Sequence, residues 1–456
     1  MEALTPTAEQ AKAIAKIVAE PTRAALNGST MGAGKTLIAV EVAKGLGAET
    51  ILLIAPLGTR LGWKVTFERQ GVELPFKWIN STKDGRQARS DWDWQLPGIY
   101  FVGVEYFTRL GWEGGKVRSK MWSKKPDLVL FDEVHRAQNR NSKTFKTLKQ
   151  ATGGFKLAMS GTPTGNKFDG AWAVTRWLWP DDITNSFHIW ATRWCNFEYN
   201  HFAPGGRQIV GEKEPGAFFN SLPCYVRIES DLDVSLDEDV RYVELLPAQR
   251  KAYDQLEKNM ITWVEGNPLV VEFPITLRAR LRQASLGMFS VDEAGEVTFD
   301  LDCKSSKLDA MLEILRDDWE GEPALILTDS RKFADVVVHR LGERAAAWHG
   351  EVSQVLREDR KKAFIDGNLD YLVAVTSAIA EGVDGLQHAT RNVLWLSRSD
   401  NRLLNEQAMA RVMRQGQTRQ VRSVEIVALD TYDSGVLSSQ LQGAIEMNKI
   451  LKSKEL

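Results

Sequence analysis

Short continuous apolar runs recur through the first half of the chain, with stretches of helical spacing between them. The runs cover residues 51–55, 99–102, 128–131 and 157–160. Apolar runs of this length are typical of strands that are buried on both faces of a parallel sheet. Strands that alternate with helices predict an α/β lobe in which helices cover both faces of the sheet and ligands collect at the carboxyl ends of the strands.

A second series of apolar runs follows in the other half of the chain. It covers residues 324–328, 371–375, 392–396 and 424–428. The repetition predicts a second α/β lobe built in the same way. We therefore expect a first lobe at 1–230 and a second lobe at 231–456, which ends in a short helical tail.

Two stretches depart from this alternation and carry helical spacing alone. Residues 166–225 are rich in aromatic side chains, and residues 245–300 form the second stretch. Two tryptophan pairs in the first stretch each share a helix face: Trp172 with Trp179, and Trp190 with Trp194. Regular helical spacing favours packing in a core over stacking against nucleic-acid bases. We predict helical insertions at both places.

The composition allows large cores and gives little direction about partners. Of the 456 residues 43% are hydrophobic, and 58 basic residues against 60 acidic ones give a net charge of −2. Any nucleic-acid binding must therefore come from a local basic surface. The three cysteines stand far apart, and no apolar run approaches the roughly 20 residues of a membrane helix. We expect a soluble protein of a reducing compartment, without a metal cluster or a membrane partner.

A glycine-rich stretch at residues 28–36 has the pattern of a phosphate-binding loop. Backbone N–H groups of such a loop converge on phosphate oxygens, Lys35 is placed to reach the β and γ phosphates, and the Thr36 hydroxyl to ligate Mg²⁺. Ser29 stands where the strict pattern has a glycine, and the alternative is an ordinary turn with a surface lysine. The residues predicted to hold ATP here are Met31, Gly32, Ala33, Gly34, Lys35 and Thr36.

Two carboxylates follow the buried strand predicted at 128–131. Asp132 is placed to hold Mg²⁺ through its water shell, and Glu133 to accept a proton from the water that attacks the γ-phosphate. An acidic pair on a surface has no such meaning. At the carboxyl end of a strand in a chain with a phosphate loop, the pair predicts a hydrolytic site.

The second lobe has no phosphate loop but offers two arginines. Arg411 and Arg414 are three residues apart, so on a helix they point the same way, and planar cations of this kind stabilise charge on a transferring phosphoryl group. The alternative is an ordinary pair of surface arginines. We expect one nucleotide site at the interface of the two lobes, to which the second lobe contributes these cations.

Together these segments resemble motifs I, II, III and VI of superfamily-two helicases. The motifs occupy residues 31–36, 132–139, 160–166 and 407–417. Their extensions, which end in Asn139 and Asn166, resemble the Swi/Snf-type DNA translocases in particular. The resemblance implies two RecA-like P-loop NTPase lobes with parallel sheets, helical insertions that include a protrusion at 166–225, and the use of ATP and Mg²⁺.

The resemblance also implies roles for residues outside the phosphate loop. Gln10 stands where the family has its adenine-reading glutamine, Gln407 opens motif VI, and Gly382 and Asp384 resemble nucleotide-contacting motif V. Loops at the strand ends of both lobes would contact DNA phosphates near Thr59, Gly161, Arg331 and Thr376. Such contacts read the backbone and not the bases, so the expected partner is duplex DNA of any sequence.

Three functions remain open at this point. The best supported is an ATP-dependent duplex-DNA translocase, and a strand-separating or annealing DNA or RNA helicase is the alternative because residues 380–385 are closer to the general helicase form of motif V. A nucleotide-binding scaffold without hydrolysis would lack Glu133 or the arginines. We expect a cytoplasmic or nucleoid-associated protein of prokaryotic or viral type, with no protein partner that the sequence indicates.

Overall fold

The structure is a computed structural model that describes residues 3–30, 32–113, 115–117, 122–164, 168–199, 207–229, 234–265, 273–291, 297–380 and 383–434. Side chains are described throughout these ranges except at 258–265, 273–278 and 291. The chain forms two compact units, residues 1–231 and 232–443. The sequence-based division at 230/231 stays a prediction, because the C-terminal tail lies outside the described residues.

Unit 1 is built on a parallel sheet. The strands of the unit are β1 Ala24–Asn27, β2 Thr50–Ala55, β3 Phe76–Trp78, β4 Gly98–Gly103, β5 Trp112–Glu113, β6 Lys116–Val117, β7 Leu128–Asp132, β8 Phe155–Met159, β9 Cys195–Tyr199, β10 Arg207–Glu212 and β11 Tyr225–Val226. Seven of the described strands form the sheet, in the order β11-β1-β8-β7-β2-β4-β3. The order places β8 between β1 and β7, so the carboxyl ends of these three strands are neighbours.

Helices cover this sheet, and several of them begin after a residue whose side chain caps the helix. They are α1 Ala8–Val18, α2 Lys35–Gly45, α3 Arg60–Arg69, α4 Lys83–Asp93, α5 Val104–Leu110, α6 Lys143–Leu148, α7 Gly170–Leu178, α8 Phe187–Trp194 and α9 Ala217–Asn220. Thr7 and Gln10 form a capping box at α1, and the Ser142 hydroxyl accepts from Phe145 N at α6. The central strands are fully buried, as their continuous apolar runs predict.

The predicted insertion at 166–225 is helical only in part. Trp172 and Trp179 are 8% and 2% exposed and Trp190 is 1% exposed, which confirms core packing for these indoles. After α8, however, β9 and β10 pair as an antiparallel hairpin, so a wholly helical protrusion is wrong. Aromatic residues serve strands as well as helices, and their spacing here did not separate the two.

Unit 2 repeats the design with a second parallel sheet. Its strands are β12 Leu236–Val243, β13 Ser290–Val291, β14 Val297–Thr298, β15 Ala324–Thr328, β16 Ala345–Trp348, β17 Tyr371–Val375, β18 Asn392–Trp395 and β19 Val421–Ala428. Its helices are α10 Pro247–Glu265, α11 Phe273–Ala284, α12 Ser306–Glu313, α13 Arg331–Leu341, α14 Gln354–Ile365, α15 Thr376–Ile379, α16 Leu386–Ala389 and α17 Arg402–Met409. Six of the described strands form the sheet in the order β12-β19-β18-β15-β17-β16.

Both sheets therefore confirm the predicted α/β architecture. The predicted helical stretch at 245–300 consists of α10 and α11 followed by the short hairpin of β13 and β14. Among the described residues, no helix combines the length and the apolar character needed to cross a bilayer.

Candidate nucleotide and nucleic-acid site

The predicted phosphate loop connects the carboxyl end of β1 to the first residue of α2. Gly32 and Gly34 have φ values of +83° and +78°, which glycine adopts without strain. A Cβ atom at Gly34 would lie 2.5 Å from Nε2 of Gln10, so any other residue there would displace this side chain as well as strain the backbone. Helix α2 begins at Lys35. The N–H groups of its first turn and the positive end of its dipole therefore face the loop, as an anion site requires. Met31 lies outside the described residues.

Lys35 folds back over the loop that precedes it. Its Nζ donates to the carbonyl oxygens of Ser29 and Thr30, each at 3.0 Å. These contacts hold the ammonium group on the side of the loop where a phosphate chain would lie, while Thr36 follows half-buried in the first turn of α2.

Ser29 has a structural reason to stand in the place of a glycine. Its side chain is fully buried, and its hydroxyl accepts from Ile228 N at 3.0 Å. Its own N–H donates to Oδ1 of Asn27 at 3.0 Å. Ser29 therefore joins the loop to the segment after β11, where Nη1 of Arg227 also donates to Gly28 O at 2.9 Å. Sequence reasoning missed Asn27 and Arg227, because neither belongs to a recognisable motif.

Gln10, the predicted adenine reader, makes two contacts within unit 1. Its Oε1 accepts from Thr7 N at 2.9 Å, and its Nε2 donates to Ala33 O at 3.0 Å. The side chain thus connects the cap of α1 to the phosphate loop. A role in reading adenine stays a prediction.

Asp132 ends β7 as its half-buried last residue, after four buried ones. Burial, together with the adjacent Glu133 carboxylate, raises the pKa of Asp132 to about 6, against the opposing effects of Lys35 and of the hydrogen bond from Trp63. Nε1 of Trp63 donates to Oδ2 of Asp132 at 3.1 Å. A buried carboxylate beside a second one is disfavoured in its charged form unless a cation compensates it. The phosphate loop, Lys35 and this carboxylate therefore fit a nucleoside triphosphate with Mg²⁺.

Glu133 stands in a contact network that links the ends of β7 and β8. Its Oε2 lies 3.2 Å from Nδ1 of His135 and accepts from the Ser160 hydroxyl at 3.5 Å. His135 Nδ1 and Ser160 Oγ are 3.1 Å apart. The backbone of Glu133 is left-handed, with φ of 55° and ψ of 51°, a conformation that costs a non-glycine residue about 1–2 kcal/mol. The network holds the proposed base in this conformation and ties it to motif III.

The predicted helix through Arg411 and Arg414 is wrong. Helix α17 carries Gln407 in a buried position and ends at Met409, after which Arg411 N bonds to Ala408 O at 3.1 Å in a tighter turn. The two arginines still meet, because both reach the segment after α15. Arg411 donates to the carbonyl oxygens of Ala380 and Val383, and Arg414 pairs with the carboxylate of Asp384. Motifs V and VI are thus in contact within unit 2, while Gly382 lies outside the described residues.

The predicted DNA contacts lie on strand-end loops of their own units. Thr59 donates to Pro56 O at 2.8 Å within the loop after β2, and Gly161 follows β8. In unit 2, Arg331 begins α13 and pairs with Glu351. Thr376 is fully buried and its hydroxyl is 3.4 Å from Thr328 O, so any contact at this position would use the backbone.

Comparison with known proteins gives two family matches along the chain. Residues 18–285 match the SNF2-related domain, and residues 306–416 match the Helicase conserved C-terminal domain. Among solved structures, the Sulfolobus solfataricus SWI2/SNF2 ATPase core in complex with dsDNA is similar at 18% identity and a TM-score of 0.42, over 98% of this chain and 94% of that one.

Curated relatives are distant but extend along most of the chain. Mouse Chromodomain-helicase-DNA-binding protein 1-like is 22% identical over 89% of this chain and 45% of its own length. Human SWI/SNF-related matrix-associated actin-dependent regulator of chromatin subfamily A member 1 is 24% identical over 89% of this chain and 40% of its own length. The chain thus spans less than half the length of these relatives.

The relatives overturn one expectation from the sequence. We expected a cytoplasmic or nucleoid-associated protein of prokaryotic or viral type. These relatives are mammalian proteins whose names describe chromatin functions, and they point to a eukaryotic nuclear protein instead. Helicase motifs occur in all domains of life, so the motifs themselves held no information on the host.

Proposed function

Since this chain belongs to the family of SNF2-related helicase-type ATPases, we propose that it moves along duplex DNA by hydrolysing ATP, without separating the strands. Membership confirms the family that the motifs resemble, and it makes the chain an ATP hydrolase of superfamily two. The motor activity, the number of nucleotide sites and the preference for duplex are our proposal.

One arrangement carries the proposal for the nucleotide. The phosphate loop after β1, Asp132 at the end of β7 and Ser160 after β8 follow three adjacent strands of one parallel sheet. Ligands of such sheets bind at the carboxyl ends of strands. A second phosphate loop is absent from the described residues of unit 2, so one ATP with Mg²⁺ for each chain accounts for the motifs present.

The residues divide the work on this nucleotide. Backbone N–H groups at Gly34 and Lys35, with the Lys35 ammonium, would bind the phosphates, and Thr36 and Asp132 would hold Mg²⁺. When bound, Mg²⁺ neutralises charge on the phosphate oxygens. Glu133 orients the attacking water and takes its proton, and His135 and Ser160 fix the Glu133 carboxylate in place.

Arg411 and Arg414 supply the remaining positive charge. Guanidinium groups are suited to charge that develops on a phosphoryl group during transfer. In the structure Arg414 pairs with Asp384, whose side chain is 67% exposed. The Arg414 side chain is 27% exposed, so water screens the pair in part. A pair that is partly screened exchanges partners at modest cost, which leaves Arg414 available to the nucleotide.

Duplex DNA is proposed as the track. The curated relatives include a protein named for DNA binding, and the extensions of motifs II and III resemble translocases. Contacts from strand-end loops would reach phosphates, which are the same in every sequence, so they would not select bases.

The test is ATP-driven displacement of a third strand from a DNA triplex. A translocase on duplex displaces the third strand and leaves the underlying duplex paired, whereas Glu133→Gln should leave the third strand bound. Release of single strands from an ordinary duplex at a comparable rate would replace this proposal with a strand-separating helicase.

A further inference from the structure

The hairpin of β9 and β10 is the part of unit 1 that the motifs leave unexplained. Its two strands pair with Tyr199 opposite Arg207, Glu198 opposite Gln208 and Phe197 opposite Ile209. The register shifts between Ile209 and Gly211, which marks a bulge. Bulges re-aim the side chains of a strand and are common beside functional sites.

The register gives the hairpin two different faces. Side chains alternate along a strand, so Phe197, Tyr199, Arg207 and Ile209 share one face. Glu198 and Gln208 share the other. The first face, which we call the aromatic face, carries the Arg207 cation at its exposed end. Its one paired carboxylate, that of Glu212 opposite Cys195, is buried at the base.

Exposure rises along the aromatic face away from the body of the unit. Ile209 is half-buried against the hydrophobic core, Phe197 is 39% exposed, and Tyr199 is 80% exposed beside the exposed Arg207. Tyr199 and Trp94, which is 79% exposed, are the most exposed large hydrophobic side chains among the described residues. Tyr199 and Phe197 share this face and are both exposed, and contiguous exposed apolar surface, unlike a single exposed ring, is typical of binding surfaces.

The base of the hairpin is rigidly attached. The buried Glu212 carboxylate accepts from the N–H groups of Gly216 and Phe218 at 2.7 and 2.6 Å, and Lys213 donates to Thr192 O at 2.5 Å. Cys195 at the start of β9 is fully buried. The exposed end of the aromatic face is therefore presented by a fixed support.

The same base lies beside the extensions of motifs II and III. Asp169, which follows motif III, is 3.9 Å from Arg140, which follows motif II, and the Arg140 guanidinium covers the Phe187 ring at the start of α8 at 3.7 Å. Helix α8 leads directly into β9. The hairpin is thus continuous with the segments that follow two of the nucleotide-site motifs.

We propose that the aromatic face binds unpaired bases of DNA, which makes a duplex with a single-stranded arm a preferred substrate. A base would stack on Tyr199, and Arg207 would pair with a neighbouring phosphate. Every base offers a face for stacking, so the contact is independent of sequence. The charge of the face fits this occupant, since the Arg207 cation lies at its exposed end and the Glu212 carboxylate on the same face is buried at the base. The inference extends the proposed motor function to a second, separate DNA contact.

The test is the ratio of affinities for forked and blunt duplex of equal length, measured by fluorescence anisotropy without nucleotide at fixed salt. Tyr199→Ala should weaken forked-DNA binding by about tenfold, the effect of one lost base stack, and leave blunt-duplex binding unchanged. Tyr199→Phe keeps the ring and should bind as wild type does. Trp94→Ala removes an equally exposed indole from the same unit and should also have no effect.

Several outcomes would overturn the inference. Equal binding of forked DNA by Tyr199→Ala and wild type excludes stacking, and equal losses on forked and blunt DNA mean that the face contacts the duplex backbone. A changed sedimentation coefficient in Tyr199→Ala would assign the face to contact between copies of the chain. Duplex-stimulated ATPase activity of the wild type, measured on the same preparation, tests the motor proposal separately, since it does not depend on Tyr199.

Discussion

Ser29 shows how a single residue can depart from a motif for a structural reason. The strict loop pattern has glycine here, yet the buried serine hydroxyl accepts from Ile228 N. A buried N–H that loses its acceptor costs about 1–3 kcal/mol. The departure therefore concerns the stability of unit 1 and not the binding of phosphate.

Ser29→Gly, which restores the strict pattern, should destabilise the protein. We expect the free energy of unfolding to fall by about 1–3 kcal/mol, with amide exchange at Ile228 accelerated and ATP affinity retained. Ser29→Ala is the control, because it removes the hydroxyl without adding backbone freedom and should exchange at Ile228 equally fast. Unchanged exchange in both variants would show that the hydroxyl does not support the loop.

Lys35 and Glu133 should separate binding from turnover. Lys35→Ala removes the cation on the phosphate loop and should lose most ATP binding, measured by calorimetry. Glu133→Gln keeps the shape of the side chain and should bind ATP normally but lose hydrolysis, because an amide cannot take the proton of water. Wild-type turnover in Glu133→Gln would remove Glu133 from the role of base.

At the scale of single residues, the sequence predicted which side chains belong to the site but not which distant residues contact them. Lys35 stands at the first residue of α2, and Asp132 and Glu133 stand at the end of β7, where the motifs put them. The contacts of Gln10 with Ala33 and of Trp63 with Asp132 depend on how distant segments meet. No local pattern encodes such contacts, so the setting of these residues required the structure.

Among elements, strands with long apolar runs were predictable and the others were not. β2, β4, β7 and β15 match their runs closely. β16 was missed because it is Ala345–Trp348, a run of alanines typical of helices. β12 was missed because an edge strand is half-exposed and reads as polar. The end of α17 was misplaced, since Arg411 leaves the helix to contact Ala380 and Val383.

Substitutions of Arg411 and Arg414, in the turn that follows α17, should both lower the rate of ATP hydrolysis, and only that of Arg411 should also loosen the backbone. Arg414→Ala removes a charge and should lower kcat by the order of 10³ with little change in ATP affinity. Arg411→Ala should do the same and also increase hydrogen exchange around Ala380, because it removes two contacts to backbone carbonyls. Steady-state kinetics with a separate binding titration gives the comparison. ATP affinity that falls as steeply as kcat would show that the arginines bind the ground state.

A charged cluster at the amino ends of strands in unit 2 predicts a pH dependence of stability. Hydrogen bonding to Arg391, at 2.6 and 3.0 Å, lowers the pKa of Glu322, against the effect of burial, and Arg422 adds to the lowering. A carboxylate whose pKa is lower in the folded state contributes stability above its unfolded pKa of about 4.3. The contribution is lost as the pH falls through the folded value.

Glu322→Gln should therefore lower the unfolding temperature at pH 7 and have a smaller effect at a pH about one unit below the unfolded pKa. Thermal melts at the two pH values measure the difference. Glu320→Gln removes an exposed carboxylate from the same loop and serves as the control, with no change expected. A difference for Glu322→Gln that is equal at both pH values would mean that its charge does not stabilise the unit.

At the scale of the whole molecule, we propose that unit 1 holds ATP and that unit 2 supplies cations for its hydrolysis. The phosphate loop, Asp132 and Glu133 belong to unit 1, and Arg411 and Arg414 belong to unit 2. We expect neither set to hydrolyse ATP alone. A track that both units bind would bring them to act together, so hydrolysis should depend on nucleic acid.

The most direct test compares the ATPase rate without nucleic acid and with blunt duplex DNA, single-stranded DNA or RNA at matched salt. Duplex should stimulate hydrolysis most, whatever its sequence. The apparent affinity should fall with salt on a log–log slope of about −0.9 for each neutralised phosphate. A rate that RNA or single-stranded DNA raises more than duplex, or that no nucleic acid changes, would contradict the account.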